Sequence, residues 1–176
     1  MKHSLDKFRY CPCCGHHGFV VASEKSKKCE HCGFEYFMNA ASANVALIFN
    51  DKGELLVLRR RYEPAKGTLD LPGGFADYDE TAEEGVMREV KEETGMDMVA
   101  CRYLFSKTNV YHYSGMDIRT LDLFFRCEVD DAAKPVAMDD AAECMWIPLH
   151  EIRIDSFGLR SIREGLKEWL KDSNVF

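Results

Sequence analysis

The sequence of 176 residues contains no long run of apolar residues. A membrane-spanning helix needs about 20 consecutive apolar residues, so the sequence predicts no such helix and no membrane partner. The first ten residues, MKHSLDKFRY, also lack the apolar segment of a secretory signal, which favours a cytoplasmic location. Because 46% of the residues are hydrophobic, wholesale disorder is excluded. The length suits one compact domain, or one domain with a small appendage.

Basic residues are outnumbered in this chain. It carries 23 lysines and arginines against 30 aspartates and glutamates, which gives a formal net charge of −7. A protein that binds nucleic acid through a broad basic surface has the opposite balance, so nucleic acid is not expected as a partner. The acidic balance also indicates that an anionic substrate would reach this protein together with a cation.

Cysteine, in contrast, is abundant, and five of the eight cysteines fall within the first 32 residues. In a chain without an export signal such crowding indicates a metal site, because the cytosol keeps thiols reduced. Two Cys-x-x-Cys pairs, Cys11 with Cys14 and Cys29 with Cys32, can supply the four thiolates that structural zinc prefers. We predict a zinc ribbon over residues 1–38 with these four ligands. Since so short a segment buries little apolar surface, the metal would supply most of its folding energy.

Other assignments of these residues remain open from the sequence. A set of zinc ligands that includes Cys13 fits the spacing. A set in which a histidine (His16, His17 or His31) replaces one thiolate also fits. Plain buried cysteines or a redox-active Cys-x-x-Cys site are further alternatives. The redox site would need a single motif that opens a helix inside a βαβ unit, whereas this sequence has two motifs.

From residue 39 onwards, segments with the apolar pattern of strands alternate with segments of helical period. Residues 43–50 and 54–61 are apolar runs joined by Asp51-Lys52-Gly53, a pattern that predicts a β-hairpin. The other expected elements are strands at 98–105 and 118–129 and helices at 79–94 and 158–172. We therefore predict a second domain, of the α/β class, over residues 39–176, with a mixed sheet flanked by helices.

The first of these helices carries both a start signal and a stop signal. Thr81 and Glu84 have the spacing of a capping box, which predicts that the helix begins at Ala82. Gly95 directly follows the last residue of the helical period, where a glycine commonly ends a helix.

Three glutamates share one face of this helix, since Glu89, Glu92 and Glu93 are spaced at i, i+3 and i+4. Like charges at these spacings destabilise a helix by roughly 0.3 kcal/mol per pair. A solvated acidic face is the simple interpretation. The adjacent Arg88 and the Gly-rich loop upstream favour instead a site for Mg²⁺ or Mn²⁺, hard ions that bind phosphate oxygens. The pattern therefore indicates phosphoryl-transfer chemistry.

The segment from Gly74 to Met96 resembles a complete Nudix box, G-x5-E-x7-R-E-U-x-E-E-x-G-U, in which U is aliphatic. Gly74 and Glu80 occupy its first two fixed positions, and residues 88–95 read REVKEETG. The preceding Leu71-Pro72-Gly73 is similar to the usual approach to the box. The resemblance covers about residues 39–155, and the zinc ribbon ahead of it resembles that of the NADH pyrophosphatase branch of the family.

This resemblance implies an α/β/α sandwich in which the box forms a loop, a helix and a second loop. It also implies that Glu89, Glu92 and Glu93 bind a catalytic Mg²⁺ or Mn²⁺, with one of them or a downstream carboxylate as general base. Arg88 would then hold a box glutamate in place, and the Gly74 carbonyl would join the metal shell.

Residues outside the box complete the candidate site. The segment before Trp146 offers Asp140 and Glu143 as an additional metal ligand and an additional catalytic residue, although solvated loop acids are an equally good interpretation. The candidate substrate-binding residues are Arg60, Gly73 and Gly74.

Members of the resembled family hydrolyse a nucleoside diphosphate linked to another moiety, so we expect a Mg²⁺-dependent hydrolase of such a pyrophosphate linkage. A dinucleotide, ADP-ribose, a nucleotide sugar and a nucleoside triphosphate all fit. NADH is not singled out, because residues 106–115, SKTNVYHYSG, depart from the Ser-Gln-Pro-Trp-Pro-Phe-Pro-x-Ser array of NADH pyrophosphatases. The alternative is a nucleotide-sensing module or regulator without hydrolysis. A second copy of the chain, in a homodimer, is the other candidate partner.

Overall fold

The computed structural model describes residues 3–130 and 134–172 of the chain. The strands are, in chain order, β1 (Phe19–Ser23), β2 (Ser26–Cys29), β3 (Glu35–Phe37), β4 (Ala41–Ile48), β5 (Leu55–Arg60), β6 (Leu69–Asp70), β7 (Met98–Tyr113), β8 (Met116–Val129) and β9 (Ala141–Ile147). The helices are α1 (Ala82–Thr94) and α2 (Arg160–Asp172), and two short 3-10 turns lie between β9 and α2 at Leu149–Glu151 and Ile154–Ser156.

The N-terminal strands form a small antiparallel sheet in the order β1-β2-β3. Phe19 packs with the thiols of Cys11 and Cys29 in a small buried cluster of this part. A cluster of this size contributes little hydrophobic stabilisation, so metal binding is the expected main source of stability here.

Strands β4 to β9 form two further sheets, in the orders β4-β8-β7 and β6-β5-β9. Strand β4 pairs with β8 in parallel, whereas β7 with β8, β5 with β6 and β5 with β9 are antiparallel pairs. The predicted mixed sheet is therefore confirmed.

Adjacent residues of the central strands pack into two different apolar clusters. Val45 of β4 belongs to a cluster that includes residues of α2, whereas Ala46 belongs to a cluster that includes residues of α1. The same division separates Leu55 from Leu56 and Phe124 from Phe125. Because successive side chains of a strand point to opposite faces, α2 covers one face of the strands and α1 the other. This is the predicted α/β/α sandwich.

The predicted hairpin of residues 43–50 and 54–61 is wrong in its pairing. The turn exists, because the Gly53 N–H donates to the Asn50 carbonyl at 3.0 Å and an antiparallel bridge joins Phe49 to Leu55. Beyond it the strands separate, and β4 pairs with β8 while β5 pairs with β6 and β9. Both runs are apolar on consecutive residues, which is typical of strands buried on two faces rather than of an amphipathic hairpin.

Strands β7 and β8 are longer than predicted and form a continuous antiparallel pair that ends in a turn at Ser114-Gly115. The predicted strand ends at Phe105, and the residues that follow it, SKTNVYHY, include several polar side chains. The additional pairs bring Asn109 opposite Thr120, and both residues are buried. The extension therefore places polar groups in the interior of the molecule.

Helix α2 begins at Arg160, two residues later than predicted. Its Ile162 and Leu166 belong to the buried cluster on that face, and Trp169 stacks on Phe49 with ring centroids 4.7 Å apart. Neither helix in the part of the chain that the structure describes is long and apolar enough to cross a membrane.

Helix α1 has both of its predicted ends. The Thr81 hydroxyl accepts a hydrogen bond from the Glu84 N–H at 3.2 Å, and the Glu84 carboxylate accepts one from the Thr81 N–H at 2.8 Å. Gly95 ends the helix with φ of 70°, in the left-handed region, and its N–H donates to the Lys91 carbonyl. The capping box and the glycine stop are confirmed.

Substitution of the cap tests the contribution of this helix to stability. We expect Thr81→Ala to lower the free energy of unfolding by about 1 kcal/mol, because the Glu84 N–H loses its acceptor. Thr81→Ser keeps the hydroxyl and should retain most of the stability. Urea unfolding followed by circular dichroism measures both variants, and equal midpoints for Thr81→Ala and the native chain would contradict the expectation.

Candidate active site and zinc centre

A cavity of about 330 Å³ opens beside α1, where β4, β5 and β6 meet the loop that leads into the helix. Its wall on the helix side carries the box residues Arg88, Glu89, Glu92 and Glu93, with Gly73 and Gly74 from the loop. Its other walls include residues of β5, β7 and β8, together with the turn before β9. The structure thus brings most of the predicted site residues to a single cavity.

Arg88 holds the acidic residues of this wall together. Its guanidinium donates to both carboxylate oxygens of Glu80, at 2.8 and 3.1 Å, and to Glu89 and Glu92, each at 2.9 Å. It also donates to the Phe75 carbonyl at 3.0 Å. The hydrogen bonds from Arg88 hold the pKa of Glu80 at about 2, far below its usual range. Glu80 therefore holds Arg88 in position, which is a structural role.

Glu93 is the most buried acid of the helix. Burial raises its pKa well above the ordinary value, and the nearby Asp70, Glu89 and Asp140 raise it further. The Gly73 N–H donates to its Oε2 at 2.8 Å and partly offsets this effect. Burial likewise raises the pKa of Glu89, although Arg88 opposes the shift.

The chemistry of these side chains suits a divalent cation, and their ligand atoms would have to move closer together to share one ion, because among the described residues only the four cysteine sulfurs lie that close. Carboxylates that are buried close to one another are destabilised as anions, and a cation removes that penalty. Glu89, Glu92 and Glu93 would hold Mg²⁺ or Mn²⁺ through oxygen, the ligand atom that these hard ions prefer.

The backbone at Gly73 admits only glycine. Its φ is 147°, and a Cβ atom at this position would lie 2.0 Å from the Asn44 carbonyl oxygen. The close approach holds the Gly73 N–H against Glu93. At the next residue, the Gly74 carbonyl accepts a hydrogen bond from the Asn44 N–H at 2.8 Å. One lone pair of that oxygen remains, so Gly74 as a metal ligand stays a prediction.

Arg60 lies in the cavity but is engaged by the protein. Its three nitrogens donate to the Asp70 carboxylate at 2.5 Å, the Tyr111 hydroxyl at 3.0 Å and the Pro64 carbonyl at 2.8 Å. Burial raises the pKa of Asp70, while the charge of Arg60 lowers it. Arg60 therefore stabilises the cavity wall through these three hydrogen bonds. Its predicted contact with substrate stays a prediction.

Asp140 and Glu143 occupy different surroundings. Asp140 lines the cavity, and it is close enough to Glu93 to raise the pKa of that group. Glu143 lies on β9 and pairs with Arg59 at 2.8 Å, outside the residues that line the cavity. The structure therefore brings Asp140 to the box glutamates and leaves Glu143 in a surface ion pair.

Sequence reasoning missed one wall of the cavity. It is formed by polar residues of strands and one aromatic residue, namely Asp70, Asn109, Thr120, Asp122 and Phe75. Asp122 alternates with Phe124, which is fully buried, so it occupies an inward position of an apolar strand. A carboxyl at such a position is a sequence signal for a functional group, because buried acids need a partner.

The four predicted zinc ligands converge in the N-terminal part. The Sγ atoms of Cys11, Cys14, Cys29 and Cys32 all lie within 4.8 Å of one another. Cys13 is exposed and lies outside this cluster, so the alternative set of ligands that includes Cys13 is wrong. The Cys32 N–H donates to the Cys29 sulfur at 3.5 Å, a contact that favours the thiolate form that binds metal. Four sulfur ligands in this compact arrangement fit a structural zinc ion.

The histidines near this cluster make other contacts. His16 stacks on His31 with ring centroids 5.0 Å apart, and His17 packs edge-on against Tyr10. None of the three belongs to the cluster of described residues that could hold a metal ion. The geometry therefore favours four thiolates over a histidine substitution.

Comparison with known proteins agrees with the fold and the box. The NUDIX domain matches residues 38–170, and the chain therefore belongs to the NUDIX family. It is 32% identical over 138 residues to the "NAD-capped RNA hydrolase NudC" of Escherichia coli O1:K1 / APEC, which is 78% of this chain and 51% of that protein. The chain spans about half the length of the curated relatives it matches.

Two solved structures have a similar fold. A NUDIX hydrolase from Nitrosomonas europaea aligns with a TM-score of 0.72 and 21% identity, over 94% of this chain and 92% of that one. A bifunctional NMN adenylyltransferase/ADP ribose pyrophosphatase from Francisella tularensis, solved with AMP and a manganese ion, aligns with a TM-score of 0.60 and 26% identity. This second alignment covers 77% of this chain and 42% of that one.

The ion pair of Glu80 and Arg88 predicts a pH-dependent contribution to stability. Because the folded pKa of Glu80 lies at about 2, below the ordinary 4.5, the contribution is present above about pH 4.5 and is lost as the pH falls towards 2. We expect Glu80→Gln to be less stable than the native chain at neutral pH, with a difference that shrinks as the pH falls. Urea midpoints between about pH 7 and about pH 3 measure it. Glu83→Gln, at an exposed position, is the matched control, and a difference independent of pH would refute the assignment.

The sulfur cluster predicts about one zinc ion per chain. Cys14→Ser removes one of its ligands and should lower the zinc content, whereas Cys13→Ser should retain it. Elemental analysis of the purified variants measures the ratio of zinc to protein. Equal zinc content in the two variants would show that Cys14 is not a ligand.

Proposed function

We propose that this protein is a hydrolase, dependent on Mg²⁺ or Mn²⁺, that cleaves the pyrophosphate linkage of a nucleoside diphosphate derivative. The observation that carries the proposal is the wall of α1, where Glu89, Glu92 and Glu93 face a cavity and are fixed by Arg88 and the Gly73 N–H. All fixed positions of the box are present, so the sequence offers no reason to prefer a sensing module over an enzyme.

The chemistry of such a cleavage requires charge neutralisation at an acidic wall. Bound Mg²⁺ would shield the phosphate oxygens and lower the pKa of a coordinated water. The chain's own residues fix the carboxylates, since Arg88 orients Glu89 and Glu92 while the Gly73 N–H orients Glu93. Water adds to one phosphorus, the bond from that phosphorus to the bridging oxygen breaks, and the leaving phosphate departs with that oxygen. A carboxylate of the wall accepts the proton of the attacking water.

The substrate is a nucleotide in which two phosphates are linked. The relatives include proteins named for hydrolysis of NAD-capped RNA, and one similar structure contains AMP and manganese. We therefore propose NAD-type dinucleotides, ADP-ribose, nucleotide sugars and nucleoside triphosphates as the range to be screened, with NAD-capped RNA added. The net charge of −7 favours the small molecules over the RNA.

We further propose that residues 1–38 form a zinc ribbon, that residues 39–176 form the hydrolase domain, and that the ribbon is structural. Four protein thiolates around one ion would leave no open position for a substrate, which supports this division. A homodimer is also proposed, and sedimentation analysis of the purified chain would test it.

Removal of one box carboxylate tests the proposed function. With Mg²⁺ or Mn²⁺ present, we expect the native chain to hydrolyse at least one compound of the screen. Glu93→Gln should reduce the rate by roughly 100-fold or more, since it removes a proposed ligand of the metal that stabilises the transition state. Phosphate or nucleotide release, resolved by chromatography, is the measurement.

Glu151→Gln, an exposed glutamate in the 3-10 turn after β9, is the matched control and should retain the native rate. Equal activity of Glu93→Gln and the native chain would refute the proposed site. Tight nucleotide binding by the native chain without turnover of any compound would identify a sensing module instead.

A further inference from the structure

Three buried polar side chains of β7 and β8 line part of the cavity. Asn109 of β7 lies directly across from Thr120 of β8, and Asp122 is two residues further along β8. Their exposed fractions are 5%, 3% and 4%, and all three line the cavity. We call these three residues the polar corner.

The polar corner offers hydrogen-bonding groups to the cavity. The Thr120 hydroxyl donates to Asp122 Oδ1 at 2.5 Å, which leaves acceptor capacity on the Asp122 carboxyl group. The Asn109 side chain adds an amide, with donor hydrogens and an acceptor oxygen, to the same cavity wall. A ligand in the cavity can therefore find both a donor and acceptors in this corner.

The charge of this region excludes a phosphate group as that ligand. Asp122 lies near Asp70, and each carboxyl disfavours an anion in the corner. The nearby cation, Arg60, is bonded to Asp70 and Tyr111. The corner therefore suits a neutral group with hydrogen-bond donors.

The same cavity also has an aromatic surface. Phe75 lines the cavity with 43% of its surface exposed and packs edge-on against Tyr111, with ring centroids 5.6 Å apart. A planar heterocycle can stack on such a surface, whereas a sugar gains less from it.

We propose that the polar corner binds an amino-bearing nucleobase, whose N–H donors reach Asp122 while its ring acceptor and amino group pair with the Asn109 amide. This inference rests on the proposed function for its premise that the cavity takes a nucleotide. It adds the orientation of the nucleotide in the cavity: the base lies against β7 and β8, and the phosphates lie against α1. Asp122 and Asn109 thereby become specificity-determining residues.

Nucleoside monophosphates that differ by one amino group test the corner without hydrolysis. Calorimetry in the presence of Mg²⁺ would compare GMP with IMP, and AMP with purine riboside 5′-monophosphate, none of which contains a pyrophosphate linkage. In at least one pair we expect the amino-bearing member to bind roughly 10-fold or more tightly, because its amino group adds a hydrogen bond to the Asp122 carboxylate.

Variants locate this discrimination in the corner. Asp122→Asn and, as a second substitution, Asn109→Ala should bring the two members of the pair to within about 2-fold of each other. Asp51→Asn, in the exposed turn before β5, should retain the native discrimination. Circular dichroism identifies a variant that has lost its fold. The nucleotide discrimination of the other variant then tests the inference.

The outcomes separate this inference from the proposed function. Equal binding within both pairs, no binding of any of the four nucleotides, or discrimination that survives both substitutions overturns the inference. A further comparison of GMP with dGMP tests the ribose. If dGMP binds more weakly than GMP while binding is equal within both pairs, the corner binds the ribose and the inference is overturned. Discrimination by amino group in a chain that hydrolyses nothing would sustain the inference and refute the proposed function.

Discussion

The site depends on one interaction, the contact of the Arg88 guanidinium with the carboxylates around it. Glu89 and Glu92 would repel each other on one helix face, and Glu80 would repel both. The planar guanidinium satisfies all of them at once, because its donors point in several fixed directions. A lysine would carry the same charge without this geometry. Helix α1 can therefore present a dense group of acids without metal and without loss of the helix.

Burial and charge are balanced on the two faces of α1. One face packs Val86 and Val90 against the sheets, and the other presents the acids to the cavity. Glu93 lies at the border of these faces, which explains its burial and its raised pKa. The glycine at position 73 brings a backbone N–H to this acid, and no larger residue fits so close to the Asn44 carbonyl. The fold thus creates an acid that a cation would stabilise.

Local signals predicted α1 and the convergence of the four cysteines well, because both depend on short-range spacing. The capping box at Thr81, the stop at Gly95 and the four cysteines each follow from residues close in the chain. The pairing of β4 with β8 was missed, since a parallel pair joins segments far apart in sequence and leaves no local trace. Asn109 was missed for the same reason, because only the tertiary register of β7 and β8 brings it to the cavity of α1.

The long β7–β8 pair has a consequence for how this molecule can change. Asn109, Tyr111 and Thr120 lie on its far half, beyond the part that packs beneath α1. Substitutions, insertions or deletions near the turn at Ser114-Gly115 can therefore reshape one end of the cavity while the acids and Arg88 keep their positions. In the proposed assignment, the chemistry and the choice of molecule are carried by separate segments of the chain. Selection can act on the second without disturbing the first.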